Sequence, residues 1–351
     1  MKPVSSRYLY LSLFIFLLIS CKSVGPKYIP ADQFNFNTSI SQASNEQLLM
    51  NLVRLRYSEP PVFLKVSSVI NQYTRAGGVG VQGGLNNALP TGANSAVVNG
   101  NLAWSNTPTI TYIPVSGREF SANLLVPIPP ASLLNMIQSG WPIDLVLHIA
   151  TFSINGLRDD IARPSARRDA DPEFIQLLDL WKILSTAGVI GTAKDERTKL
   201  IFRNDYPPEY QDDVARFKTI LKLDPKLSEY FISYGSIQGS SDEITALTGS
   251  IWEIMLNLAW QFEVPPEHVA SGRTDMTYHS TNMEARPPLQ ILYSKEKPER
   301  EFISVYQHEY WFYIDPDDRN TKRNFSFLQL LLNLAESTTD SKAPIVTVPT
   351  N

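Results

Sequence analysis

Apolar residues follow two different periods in the first third of this chain. Leu48, Leu49, Leu52, Val53 and Leu55 recur every three to four positions, the spacing of a helix with one buried stripe. Ser44-Asn45-Glu46-Gln47 precedes them as a capping-box pattern and Pro60-Pro61 follows, so a helix is expected from about 44 to 57. Further on the period becomes two. Between Val98 and Tyr112 the even positions Val98, Leu102, Trp104, Ile110 and Tyr112 are apolar. The odd positions Asn99, Asn101, Ser105, Thr107, Thr109 and Thr111 are polar, as in a strand with one wet face. A weaker alternation sets Val69, Tyr73, Val79, Val81 and Leu85 against Gln72, Thr74, Gly78, Gly80 and Gln82. Asn86 to Ser95, with Pro90 and Gly92, has the composition of a loop. Together these stretches predict a long Gly/Asn-rich β-hairpin over 66–112.

The remaining patterns are shorter. Ser116 suits the start of a helix through Leu125, Pro130 the start of one to Ser139, and Trp141 to Ile154 fits helix or strand equally. Asp171-Pro172-Glu173 opens a helix that Gly188 should close. A hairpin from Val189 to Arg203, a helix from Pro207 to Leu221, a strand from Tyr230 to Tyr234 and a long buried helix from Ile244 to Phe262 follow. Leu289 to Tyr293, Phe302 to Gln307 and Tyr310 to Ile314 read as a meander, and Arg319 to Ala335 as a last helix. The class expected is α+β, with mixed helices and small antiparallel sheets. Its parts would be a tether at 22–43, an N-terminal α+β region at 44–154, a linker at 155–171, a C-terminal α+β domain at 172–337 and a flexible tail at 338–351.

The first 20 residues stand apart. Lys2 and Arg7 give a basic start, Tyr8 to Ile19 an apolar run of twelve, and Ser20 a small residue at the cleavage position. Such a run is short for a membrane span. Leu18-Ile19-Ser20-Cys21 resembles a lipobox, the motif of bacterial lipoproteins cut by signal peptidase II. That resemblance implies cleavage between Ser20 and Cys21 and lipid attachment at Cys21. Three acyl chains, at about 0.8 kcal/mol per buried methylene, would make detachment negligible. Cys21 is the sole cysteine, so disulfides, a thiol nucleophile and thiolate metal sites are excluded once it is lipidated. Lys22 follows it where an aspartate would resemble an inner-membrane retention signal, and by that analogy the outer membrane is the expected location.

Composition adds limits. The formal charge of −4 becomes −6 once Lys2 and Arg7 leave with the leader, which carries no acidic residue. Such a balance gives no electrostatic reason to bind nucleic acid. With 43% apolar residues the chain should bury a substantial core. Charge is distributed unevenly, since Arg75 is the one charged side chain from Val66 to Gly117.

Motifs for chemistry are weak. Gly78-Val79-Gly80-Val81-Gln82-Gly83 matches the dinucleotide fingerprint by letter. No helix signal follows it, however, and no acid occurs between Glu59 and Glu119 to hold a ribose. Asp315-Pro316-Asp317-Asp318-Arg319-Asn320 is rich in carboxylates, but Asn320 and Ser326 stand where an EF-hand needs glycine and glutamate. Ser294 and Lys297 have serine-acylase spacing in a charged segment without the required helical turn. His148, His268, His279 and His308 show no zinc spacing, so no metal or cofactor is expected. For an enzyme or ligand-binding protein, His268, His308, Asp315 and the aromatic band of Tyr306, Tyr310, Trp311, Phe312 and Tyr313 are the places to inspect.

Val24-Gly25-Pro26-Lys27-Tyr28 resembles the mature start of outer-membrane efflux lipoproteins, although the long heptad helices of those channels are missing. Asn45 to Tyr57, Phe63 to Ser68, Ser139 to Asp144, Ser153 to Gly156 and Tyr310 to Asp315 together resemble a family of uncharacterised Gram-negative envelope lipoproteins. This likeness implies an envelope location and no catalytic residue. The functional expectation is therefore a lipid-anchored envelope protein with a structural or docking role, held at the membrane through Cys21 and meeting envelope partners or its own copies. A sharper alternative inserts hairpin 66–112 as two strands of an oligomeric outer-membrane pore or secretion assembly. An envelope hydrolase or ligand-binding protein is the competing class.

Overall fold

The computed structural model describes residues 29–84, 95–163, 166–194, 197–279 and 287–337; Ser20, Cys21 and the tail 338–351 lie outside them. The fold is α+β. Two compact units divide the chain, residues 1–46 and 47–351. The described part of the first is helical, being the beginning of α1 (Ile29–Arg56). Thr38 Oγ1 there donates to the Phe34 carbonyl at 2.9 Å, and Gln42 Nε2 to Glu46 Oε1 at 3.0 Å. The tether expected at 22–43 is thus helix from Ile29 onward. Ser44 and Gln47, read as a helix start, lie inside it.

In the larger unit, Leu48, Leu49, Leu52 and Val53 are buried, as their spacing requires. Strands β1 (Leu64–Gly84) and β2 (Ser95–Pro114) follow, then α2 (Gly117–Phe120) continuing as a π-helical turn to Leu125. Helices α3 (Pro130–Gln138) and α4 (Ile143–Ala150) lead directly into β3 (Thr151–Ile154), so the ambiguous run from Trp141 to Ile154 is helix and then strand. Short strands β4 (Leu157–Arg158), β5 (Ile161–Arg163) and β6 (Ala166–Arg168) occupy the expected linker. Asp159 and Ala162 there are each 1% exposed, and the segment lies within the larger unit.

Helix α5 (Pro172–Thr186) ends at Gly188, whose φ of +68° lets Val189 N–H reach the Leu184 carbonyl at 2.9 Å. Strands β7 (Ile190–Lys194) and β8 (Thr198–Phe202), helix α6 (Gln211–Ile220) and strand β9 (Glu229–Tyr234) come next. The long helix expected from Ile244 to Phe262 is strand β10 (Glu243–Thr248) followed by helix α7 (Ile251–Ala259). The break falls at Gly249-Ser250, where Ser250 and Glu253 form a reciprocal capping box. Helix α8 (Pro266–Ala270), strands β11 (Leu292–Ser294), β12 (Ile303–Gln307) and β13 (Tyr310–Ile314), and helix α9 (Arg319–Ser337) complete the chain.

One sheet has the order β4-β3-β10-β9-β8-β7, with only β9 and β10 parallel. Phe174, Leu177, Trp181 and Leu184 of α5 pack with Phe217 of α6 against Leu200, Phe202, Tyr230 and Ile244 of that sheet. A second apolar cluster joins Leu49 and Leu52 of α1 to Ile254 and Leu258 of α7, Phe312 and Ile314 of β13, and Phe327 and Leu331 of α9. The last three strands are ordered β11-β13-β12. They are not a meander, because the final strand inserts between the other two.

Candidate functional site: a ribbon without a sheet

Side-chain amides on α1 hold the foot of the β1–β2 pair. Asn51 Nδ2 donates to the Val62 carbonyl at 2.8 Å and its Oδ1 accepts from Val62 N–H at 2.9 Å. One helical turn earlier, Gln47 accepts from Leu64 N–H at 2.8 Å and donates to its carbonyl at 3.3 Å. The two amides therefore act as a strand partner for alternate residues of the chain entering β1. Val115 N–H donates to the Phe63 carbonyl at 2.9 Å, so the returning strand is fixed at the same level.

From this foot β1 runs for 21 residues and β2 for 20, antiparallel and in continuous register from Ser68↔Thr111 to Gly84↔Ser95. A shift between Val66 and Ser68 is the one irregularity. At 3.2–3.4 Å per residue the ribbon is about 65 Å long. Among the described residues no third strand pairs with either edge. Both edges carry rows of backbone donors and acceptors open to another strand.

The register decides which positions share a face. Val98 lies opposite Val81, Leu102 opposite Gly77, Trp104 opposite Arg75, Ile110 opposite Val69 and Tyr112 opposite Val66. Residues directly opposite one another belong to the same face. By this register the even positions of β2 and odd positions of β1 fall on one face, and Ile70, Gln72, Thr74, Gln82, Val97, Asn99, Asn101, Ser105, Thr107 and Thr109 on the other. Between Ala76 and Gly84, and between Ser95 and Ala103, the apolar face holds Gly77, Val79, Val81, Gly83, Ala96, Val98, Gly100 and Leu102 without a polar residue. Nearer the foot it includes Asn71, Arg75 and Asn106. At the foot, Val69, Tyr112 and Ile113 are exposed.

The glycine fingerprint at 78–83 lies along β1 and forms no phosphate loop. His268 is buried, and the Tyr57 hydroxyl lies 2.6 Å from its Nδ1. Its neighbour Glu267 accepts a short hydrogen bond from Tyr310. His308 stacks on Tyr57 at 4.1 Å between ring centroids, and its Nε2 is 3.4 Å from Glu59. Burial pushes the Tyr57 hydroxyl upward and the His268 imidazole downward, which favours the neutral form of both. The aromatic band divides: Tyr310 and Phe312 are core, whereas Tyr306 and Trp311 pair at 5.3 Å on the opposite face of their sheet. Asp315 and Asp318 line a cleft of about 520 Å³, yet Asp315 accepts from Asp317 N–H and Asp318 from Thr321, so they shape the turn into α9. Ser294 Oγ bonds to the Glu296 carbonyl and does not meet a lysine as an acylase would require.

Sequence spacing missed one cluster. His148 on α4 meets Asp159 and Asp160, 11 and 12 positions later, and His279 pairs separately with Glu263 at 3.1 Å. The Asp159 carboxylate raises the His148 imidazole to about 9, while burial pushes the Asp160 carboxyl up to about 6. Only the tertiary fold brings the end of α4 onto the β4–β5 connection.

No protein-family model, curated protein or solved structure matches this chain.

Proposed function

We propose that this is a lipid-anchored outer-membrane protein with a structural, non-enzymatic role, whose β1–β2 ribbons from several copies join edge to edge as a transmembrane barrel. The ribbon's two free edges and single apolar face carry this reading. An isolated two-stranded ribbon is marginal in water, and closing a ring with ribbons of neighbouring copies satisfies every edge. A barrel strand needs about 9–11 residues to cross the bilayer. The stretches 76–84 and 95–103 are of that order and have the cleaner apolar face. Over those stretches the opposite face carries no charge and is polar apart from Val97 and small residues, which suits a water-filled lumen. Arg75, opposite Trp104, then falls at the edge of the apolar band, where a charge and an indole are tolerated far better than at the midplane. Lipidation at Cys21 would hold each copy at the membrane before assembly.

The test is to extract the lipidated protein in mild detergent, cross-link it and measure the size and composition of the complex. A large homo-oligomer that disappears in Leu102→Asp, with the folded body intact by circular dichroism, is expected. A monomer, or an oligomer indifferent to Leu102→Asp, overturns the barrel. Isolation of a constant complex with a different envelope protein would replace it with a docking role.

A further inference from the structure

We propose that His148, Asp159 and Asp160 form a binding site for one divalent transition-metal ion of the zinc class. His148 sits in the last turn of α4, and the two aspartates form the connection between β4 and β5. Its Nδ1 lies 2.9 Å from Asp159 Oδ2 and 3.9 Å from Asp160 Oδ1, and one donor atom from each residue falls within 4.8 Å of the others. Metal–ligand bonds of about 2.0–2.2 Å at tetrahedral or octahedral angles separate neighbouring donors by about 3.0–3.5 Å. The observed distances bracket that span, so small side-chain rotations would close the set.

Donor chemistry narrows the ion. One imidazole nitrogen with two carboxylates favours zinc, manganese or ferrous iron over calcium, which prefers six or more oxygens. Two carboxylates neutralise a divalent cation. With the His148 side chain 31% exposed and that of Asp160 18%, an ion can enter from water.

The surroundings orient these donors. Asp160 N–H holds Asp159 Oδ1 at 2.8 Å, and Arg168 Nη2 donates to the Asp159 carbonyl at 2.7 Å. Ala162 N–H donates to Asn257 Oδ1 at 2.9 Å, which fixes the connection against α7. Gln261, 8% exposed, donates Nε2 to Asp160 Oδ2 at 3.1 Å. Its Oε1 is buried and has no partner among the described residues. A buried amide oxygen left unbonded on a side chain that holds the Asp160 carboxylate is what a cation would satisfy, directly or through a bound water.

The full-length lipidated protein in detergent, stripped with a chelator, is dialysed against zinc alone. One zinc per chain is expected. Asp160→Asn and His148→Gln should abolish saturable binding, Gln261→Ala should weaken it by about tenfold or more, and His279→Gln should leave it unchanged. Cobalt added to the unaltered protein should give a visible ligand-field spectrum that zinc removes, a readout independent of any variant's folding. Absence of stoichiometric zinc, a cobalt spectrum no different from the aqueous ion, or retention of zinc in folded His148→Gln and Asp160→Asn would each overturn the site.

Discussion

Tyr57, at the end of α1, lies with its hydroxyl 2.6 Å from Nδ1 of His268, 211 residues further along the chain. The bond ties α1 to α8, and both residues are buried. Burial disfavours the charged form of each, so the bond joins a neutral hydroxyl and a neutral imidazole. Tyr57→Phe leaves the buried Nδ1 without its hydrogen-bond partner. Urea unfolding is expected to show a loss of about 1–3 kcal/mol, and an unchanged midpoint would contradict the assignment.

The same pair predicts a pH dependence. The folded His268 pKa lies below its ordinary 6.5, under burial and the neighbouring Arg273 and His308, with Glu267 and Glu309 acting the other way. Below pH 6.5 the unfolded chain therefore binds more protons at this residue than the folded one. The stability it contributes is present above 6.5 and is lost as the pH falls toward the lowered value. Stability of the wild type relative to His268→Asn, followed from pH 7.5 to about 5, should decline. A flat or rising difference would refute it.

Asn51, 1% exposed, supplies both bonds of a strand partner to Val62. Asn51→Leu removes them while keeping much of the volume. A stability loss of about 1–3 kcal/mol is expected, together with faster amide exchange at Val62. If the ribbon is the assembling element, the variant should also form fewer cross-linked oligomers than the wild type at equal membrane loading.

Gly249 separates β10 from α7 under the Phe152 ring. A Cβ added there would lie 2.9 Å from Phe152 Cε2 and 3.1 Å from Ile254 Cγ1. Gly249→Ala should cost about 1–3 kcal/mol by crowding. Pairing it with Phe152→Leu should recover part of the loss, a coupling that a double-mutant cycle measures directly. Simple additivity would place the cost elsewhere.

Local order was legible in the sequence where one residue period persisted. The stripe Leu48 to Leu55, the Pro172 and Gly188 punctuation of α5, and the apolar pattern after Arg319 each announced a helix, although the capping pattern at Ser44 misplaced the start of α1. Ile244 to Phe262 misled, since an apolar run long enough for a helix also serves a strand buried on both faces. Gly249 and the Ser250 cap, not hydrophobicity, set the change.

By itself the sequence determined the α+β class, the low charge of 66–117 and the two-residue alternation from Val98 to Tyr112, since these depend on residue type and neighbour spacing alone. Tertiary structure decided that β13 inserts between β11 and β12, that Asp159 and Asp160 come to His148, and that the even positions of β2 stand opposite the odd positions of β1 from Val69 onward. The physical reason is that contacts between distant segments are fixed by register and packing. A one-residue slip would reverse the ribbon's faces without changing a letter of the chain.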